Sequence, residues 1–287
     1  NGELYYKISN YDLMPPFFMS LTSDSDIWMF ISSDGGITAG RKNADHAIFP
    51  YYTDDLLSNL RENTGSKSIF LVEADSKWQL WEPFSCKLNG VYRINRNLYK
   101  NVFGNKLEFE EINHDLGLSY SYAWYNSRSL GIIKKSSISF LTQEPKRIRI
   151  LDGLMNILPS GIIQSVQQTK SNLANAYKKN ELLKKSGIGI YSLSSNIIDR
   201  PEPSESLRAT TVWSTGLDKS TLVLSDRQIN NFIAGREIEA EYEVRGEPGA
   251  YLSISDIQAD VGKSKSWYFV VDTGLSVSDI SKLEILF

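Results

Sequence analysis

Cysteine is almost missing: Cys86 is the only one in 287 residues, so the chain has no internal disulfide and no thiolate zinc cluster. Histidine is nearly as scarce, with His46 and His114 alone, so a histidine-based metal site would need carboxylates to complete it. No uninterrupted apolar run reaches the roughly 18 residues of a membrane helix. Positive charge is not in excess: 31 Lys and Arg against 34 Asp and Glu leave a formal charge of -3, without the basic footprint that DNA or RNA requires. The Walker loop, the dinucleotide-binding glycine fingerprint, HExxH and GxSxG are all missing. These absences predict no metal, no cofactor, no nucleic-acid partner and no membrane partner. Apolar and aromatic residues, by contrast, are plentiful at 41% and 11%, enough to exclude a disordered chain and to fill a large core. Tyrosine and tryptophan faces suit packing and sugar stacking equally.

Periodicity points to strands. Ile27-Trp28-Met29-Phe30-Ile31 is a near-continuous apolar run followed by an Asp34-Gly35-Gly36 turn. Residues 68–72 and 78–81 read as two strands about a turn at Asp75-Ser76. Leu107, Phe109 and Glu111 alternate with Glu108 and Glu110, and Leu118, Tyr120, Tyr122 and Trp124 alternate with Ser119, Ser121 and Ala123. A period of two marks strands with one packed face. Ile148 and Ile150 alternate with arginines, and further strands are expected at 188–193, 221–224, 237–244, 251–254 and 267–271, with a turn at Gly246-Glu247-Pro248-Gly249. Strand–helix alternation is lacking, so the expected fold is mainly all-β, a large antiparallel sandwich.

One segment breaks this rhythm. Over 160–185, Ile162, Val166, Leu173 and Tyr177 fall on one face at helical spacing, and Ser186-Gly187 closes the run, which predicts one inserted helix near 160–186. Its lysines, Lys170, Lys178, Lys179, Lys184 and Lys185, read as a solvated face. Asp199-Arg200-Pro201-Glu202-Pro203-Ser204 reads as an exposed loop. The chain starts on Asn1-Gly2 without a leader-like segment, which predicts a cytoplasmic protein. It ends with Ile280, Leu283 and Phe287 on one helical face, capped by Ser278 or Asp279. Both ends read as cut from a longer protein.

The densest polar stretch, 35–55, combines glycines, Arg41, Asp45, His46, Tyr51, Tyr52, Asp54 and Asp55. Carboxylate and guanidinium groups bond sugar hydroxyls, and aromatic faces cover apolar C–H surfaces. Arg41, Asp45, Tyr51, Tyr52 and Asp54 are therefore the candidate carbohydrate-binding residues. A surface loop held by ordinary salt bridges, with Arg41 pairing Asp54 or Asp55, is the alternative. Asp54 and Asp55 adjoin, so in extended chain they diverge and cannot act as an acid–base pair. Cys86, in Pro83-Phe84-Ser85-Cys86-Lys87, reads as a small buried residue, and His114 as a solvated loop residue. No catalytic residue is assigned.

The succession Pro15-Pro16-Phe17-Phe18, Trp28-Met29-Phe30-Ile31-Ser32-Ser33-Asp34-Gly35-Gly36, Arg41 and Pro50-Tyr51-Tyr52-Thr53-Asp54-Asp55 resembles the N-terminal region of glycoside hydrolase family 94, the former glycosyltransferase family 36. These are inverting disaccharide phosphorylases such as cellobiose and chitobiose phosphorylase. Phe70-Leu71-Val72, Trp81-Glu82-Pro83-Phe84, Glu108-Phe109-Glu110 and Arg147-Ile148-Arg149-Ile150-Leu151 extend the resemblance. Asn231-Phe232-Ile233-Ala234-Gly235 and the run from Trp267 to Gly274 resemble its closing strands. The resemblance departs at the helical insertion and at Thr38-Ala39-Gly40-Arg41-Lys42-Asn43, where relatives carry several arginines.

The resemblance implies a galactose mutarotase-like β-super-sandwich over 1–275, and a helical linker starting at 276–287 that leads to an (α/α)6 barrel. That barrel would hold the catalytic acid and the inorganic phosphate. The implied ligand is a disaccharide or oligosaccharide, and a homodimer is a further implied partner. The leading expectation is a sugar-contacting, non-catalytic domain of a larger carbohydrate-active protein. The alternatives are a purely structural dimerisation module and an aldose mutarotase-like epimerase. The last would need His46 or His114 with Glu82, Glu108 or Glu110 as acid and base.

Overall fold

Along residues 106–113 and 120–125 side chains alternate between a packed and an open face. The computed structural model describes residues 2–74, 77–141, 147–169, 171–197, 205–258 and 263–287. The expected turn at Asp75-Ser76, the expected loop at 199–204 and Lys170 lie outside these residues.

Strand β1 (Tyr5–Ser9) precedes a four-stranded antiparallel meander of β2 (Phe18–Leu21), β3 (Ile27–Ser32), β4 (Ile37–Arg41) and β5 (Ala47–Phe49). The β3–β4 turn needs its glycines. Gly35 has φ of 96°, and a Cβ on Gly36 would stand 2.2 Å from the Leu57 carbonyl oxygen. Helix α1 (Asp54–Leu57) leads to the hairpin β6 (Gly65–Ala74) and β7 (Lys77–Trp81). A second meander follows: β8 (Ile94–Asn101), β9 (Lys106–Asn113), β10 (Leu118–Ser127) and β11 (Gly131–Phe140). Next come β12 (Arg147–Ile157), α2 (Gln164–Thr169), α3 (Ser171–Tyr177), β13 (Lys178–Leu182), β14 (Gly189–Leu193) and β15 (Ala209–Thr215). The chain closes with β16 (Thr221–Val223), α4 (Ile229–Ile233), β17 (Glu243–Arg245), β18 (Gly249–Gln258), β19 (Ser264–Leu275) and α5 (Val277–Glu284).

A ten-stranded antiparallel sheet runs β1-β8-β9-β10-β11-β19-β15-β14-β13-β17, and a five-stranded one runs β16-β18-β12-β6-β7. Their facing surfaces form the main core. Leu98, Phe109, Tyr120, Tyr122, Trp124, Trp267 and Phe269 of the large sheet meet Phe70, Val72, Ile148, Ile150 and Tyr251 of the smaller one. The five-stranded sheet is apolar on its other face too, where Ile69, Leu71, Leu151 and Leu252 are covered by Phe232 of α4. This explains why β6 reads as a continuous apolar run rather than an alternating one. The mainly β, antiparallel sandwich expected from sequence is the observed fold.

Three local expectations are corrected. The single helix over 160–186 is two short ones, α2 and α3, followed by strand β13, which pairs with β14 and β17. The segment 231–235 is the end of helix α4 rather than a strand, because Phe232 turns into the second apolar layer. Of 237–244, only the end enters a strand, β17. Glu241 instead holds the loop by accepting from the Leu224 N–H at 2.8 Å and from Ser225 and Gln228. The terminal helix α5 is present, with Ser276 as its cap in a reciprocal capping box with Asp279.

Candidate functional site

The segment from Arg41 to Tyr52 is tied down through Arg41, Asn43, Ala44, Asp45 and the Tyr51 backbone. Arg41 leaves β4 and grips Asp272 of β19 with two hydrogen bonds, at 2.6 and 2.9 Å, and Asp26 with a third at 2.5 Å. It thus joins the four-stranded sheet to the ten-stranded one. Among the described residues its partners are these two aspartates; the side chains of Asp54 and Asp55, the expected partners, lie outside those residues. Asp45 is exposed, and its Oδ1 accepts from the backbone N–H of Gln164 at 2.8 Å, at the start of α2. Buried Gln167 is the hub: its Nε2 donates to the carbonyls of Ala44 and Ile162, and its Oε1 accepts from the Tyr51 N–H at 2.9 Å. Gln168 donates to the Tyr51 carbonyl.

The Tyr51 ring stands edge-on to Trp28, 5.7 Å between centroids. Tyr51 and Tyr52 are both half-buried. Asp54 opens α1, and its side chain lies outside the described residues. The fold therefore brings Asp45 and Tyr51 together on the α2 turn, directs Arg41 away toward Asp272, and gives the Tyr52 side chain no hydrogen bond with the described residues. The reason lies in the insertion. Ile162, Val166 and Ala174 pack with Ala47 and Leu158 in a small separate cluster, so the insert sits on this segment and uses its hydrogen-bonding groups.

A second polar region lies at the rim of the sandwich, beneath the β3–β4 turn. A cavity of about 230 Å³ is bounded by Tyr11, Asp34, Arg61, Phe84, Cys86 and Arg96. A narrower chamber of about 30 Å³ continues inward past Glu62, Lys67 and Glu82 to Ser68 and Tyr122. Its charges are matched in pairs. Lys67 bonds Glu82, and both are buried. Arg61 pairs with Asp34 at 3.2 Å. Burial pushes the Glu62 carboxyl up, but the thiol and N–H of Cys86, with Lys67 and Lys87, outweigh that and hold it below its ordinary value. Glu62 is thus an ionised hydrogen-bond acceptor at neutral pH.

The loop that walls this cavity is held by Glu111, which is 2% exposed on the core face of β9. It accepts from the Trp81 indole at 2.8 Å, the Phe84 N–H at 2.7 Å and Arg96 at 2.8 Å. Phe84 has φ of 65°, a left-handed conformation costly for a bulky residue, and this grip maintains it. Sequence reasoning did not assign Glu111 a role. The signal was present, since a carboxylate sits in register with Leu107 and Phe109 on the apolar face.

Cys86 corrects an expectation. It is exposed, because it starts a surface 3-10 turn capped by Ser85, and its Sγ lies 3.1 Å from Glu62 and 3.5 Å from Arg61. His114 is exposed as expected and contacts Asn95, while His46 contacts Asn43. Among the described residues neither histidine bonds Glu82, Glu108 or Glu110.

Behind the chamber, the two sheets share a buried polar knot. Asp152 of β12 accepts from Lys134 Nζ at 2.5 Å, Ser68 Oγ at 2.7 Å and the Trp267 indole at 2.6 Å. Lys134 and Asp152 are fully buried. Burial pulls the Lys134 amine below its ordinary value, and Asp152 opposes that shift.

The architecture recurs in solved structures. A bacterial glucoamylase complexed with acarbose matches with a TM-score of 0.52 and 11% identity, over 95% of this chain and 36% of its own. A polysaccharide lyase matches with a TM-score of 0.52 and 11% identity, over 92% of this chain and 34% of its own. A galactose mutarotase-related enzyme from Lactobacillus acidophilus gives a TM-score of 0.45 at 9% identity, over 92% of this chain and 99% of its own. The chain spans about a third of the length of the first two. No protein-family model matches it, and no curated protein matches it in sequence. The first two matches show a shared fold: one antiparallel β-sandwich, here accounting for nearly the whole chain.

Proposed function

We propose that this chain is a sugar-contacting, non-catalytic β-sandwich domain of a larger carbohydrate-active protein, of the kind that opens the inverting disaccharide phosphorylases. The observation that supports this most is the glucoamylase match, in which 95% of this chain falls on about a third of a protein solved with acarbose. The Trp28–Gly36, Pro50–Asp55 and Trp81–Phe84 motifs add the resemblance to family 94. In this reading the ligand is a disaccharide or oligosaccharide. An (α/α)6 barrel in the same protein supplies the catalytic acid and binds inorganic phosphate, a homodimer forms, and the protein works in the cytoplasm. Arg41, Asp45, Tyr51, Tyr52 and Asp54 form the segment presented to the saccharide.

The test is activity. The 287-residue chain alone is expected to neither phosphorolyse nor hydrolyse β-linked disaccharides, whereas the full-length protein is expected to do one or the other. Dependence on phosphate would distinguish the two reactions. Turnover by the isolated chain, or an inert full-length protein, would overturn the reading.

One observation favours a second, structural reading. The Arg41 guanidinium is fully engaged by Asp26 and Asp272 across two sheets, as a brace would be. Saccharide titration and melting of Arg41→Ala separate these roles.

A further inference from the structure

The outer face of the ten-stranded sheet, turned away from the core, carries a depression of about 300 Å³. That volume lies at the lower end of the ~300–1,000 Å³ usual for small-molecule sites. The strand register builds it. Glu108, Ala123, Lys135 and Tyr268 stand side by side on β9, β10, β11 and β19. At ~4.8 Å per strand this row is about 14 Å long. Ala123, the smallest of the four, forms the floor. Tyr125 of β10 and Tyr5 of β1 rise beside it.

Several polar groups of this depression are open to a ligand. Lys106 bonds Glu3 at 2.6 Å, and Tyr5 donates to Glu3 at 2.8 Å, closing one end. Glu108 and Lys135, and the hydroxyls of Tyr125 and Tyr268, make no hydrogen bond or ion pair with the described residues. All four residues are half-buried and border the depression. Burial, with Glu3 and Glu108, pushes the Tyr5 hydroxyl up to about 12, so it remains a donor. Two carboxylates, Glu3 and Glu108, balance two ammonium groups, Lys106 and Lys135, so the lining favours no net ionic charge. A ligand suited to it is uncharged, rich in hydroxyls that donate to Glu108 and accept from Lys135, and apolar on the face that meets the rings.

We propose that this groove binds a neutral saccharide, with a sugar ring seated over Ala123 between Tyr5, Tyr125 and Tyr268 and its hydroxyls bonded to Glu108 and Lys135. The choice of saccharide rests on the carbohydrate reading above, while the site rests on the register and on its open hydrogen-bonding groups.

The experiment titrates the 287-residue chain with a panel of neutral di- and trisaccharides, cellobiose and cellotriose included, and follows intrinsic fluorescence and heat. Tyr268→Ala removes a ring, Ala123→Leu fills the floor and Glu108→Gln removes the charged acceptor. Saturable binding is expected in the parent. Each variant should weaken it about tenfold or more, with melting temperatures within about 2 °C of the parent because the changes lie on the outer face. Binding that survives all three substitutions overturns the groove and leaves the carbohydrate reading standing. Absence of saturable binding by any neutral saccharide also overturns the groove. The wider reading is judged separately, by the activity of the full-length protein.

Discussion

Lys134 and Lys135 are neighbours on β11, and the pleat sends them to opposite faces of one sheet. Lys134 enters the core, fully buried, and holds Asp152 together with Ser68 and Trp267 nearby. Lys135 faces outward beside Ala123 and Tyr268, with no ion pair to a described residue. The same side chain is a structural tie on one face and an open donor on the other. The 41–52 segment resembles the inner face in part, since Asp26 and Asp272 take Arg41 while the insert takes groups of Ala44, Asp45 and Tyr51. Where polar groups are satisfied within the chain, they define shape. Where they face a cavity unsatisfied, they are available to a ligand.

The largest expected effect breaks this contrast at Lys134. Lys134→Ala strands a buried carboxylate and should lower unfolding free energy by about 3–5 kcal/mol in a urea titration. Lys135→Ala should change it by no more than about 0.5 kcal/mol. Equal losses would show that the two faces are not distinguished as described.

Lys178 sharpens the comparison, because it is 4% exposed and, unlike Lys134, has no ion pair with a described residue. Burial lowers its pKa from 10.5 to about 8. Between those two values the unfolded chain binds more protons than the folded one, so this residue makes stability rise with pH across that window. Below pH 8 the amine is charged in both states and its burial is unfavourable throughout. Lys178→Met is therefore expected to stabilise the protein at pH 7 by about 3 kcal/mol. The variant should also lose the alkaline rise when melting is followed from pH 7 to 11. A substitution that destabilises at pH 7 would contradict the assignment.

Arg41→Ala should have a smaller effect, lowering stability by about 1–2 kcal/mol through loss of charge-assisted bonds to Asp272 and Asp26. Melting temperature and saccharide affinity, measured on the same folded variant, show whether the segment is a brace alone or also a contact.

Much of the sandwich was legible because a half-buried strand must alternate. Leu107, Phe109, Tyr120, Tyr122 and Trp124 announce their face directly. Strand β13 was not legible. Lys-Lys-Asn-Glu-Leu has no β-branched residue and follows a helical pattern, so local preference favours helix. Pairing with β14 and β17 overrides it. Helix α4 failed for a related reason, since a short apolar run fits either element until its packing is known. Among the candidate site residues, the sequence places Arg41 and Asp45 in one loop but says nothing of Asp272 or Gln164, more than a hundred positions away, which determine what they bond. The outer groove was equally hidden, because Tyr5, Tyr125 and Tyr268 become neighbours only through register.

The position of β19 also governs how the molecule can be made. This last strand lies inside the large sheet, between β11 and β15, with Ile132 opposite Val271. The meander β8 to β11 can pair as it emerges from a ribosome, but its β11 edge finds no partner until β19 is made. At ~5–20 residues per second that interval is on the order of 10 s. Strand β12 waits similarly for β18, with Ile148 opposite Ile257. Throughout that time the nascent chain carries two unpaired edges flanked by core residues, the condition under which strands of different chains join. Release from synthesis before residue 264 would make that exposure permanent, so the final strand is both the keystone of the sheet and its protection against aggregation.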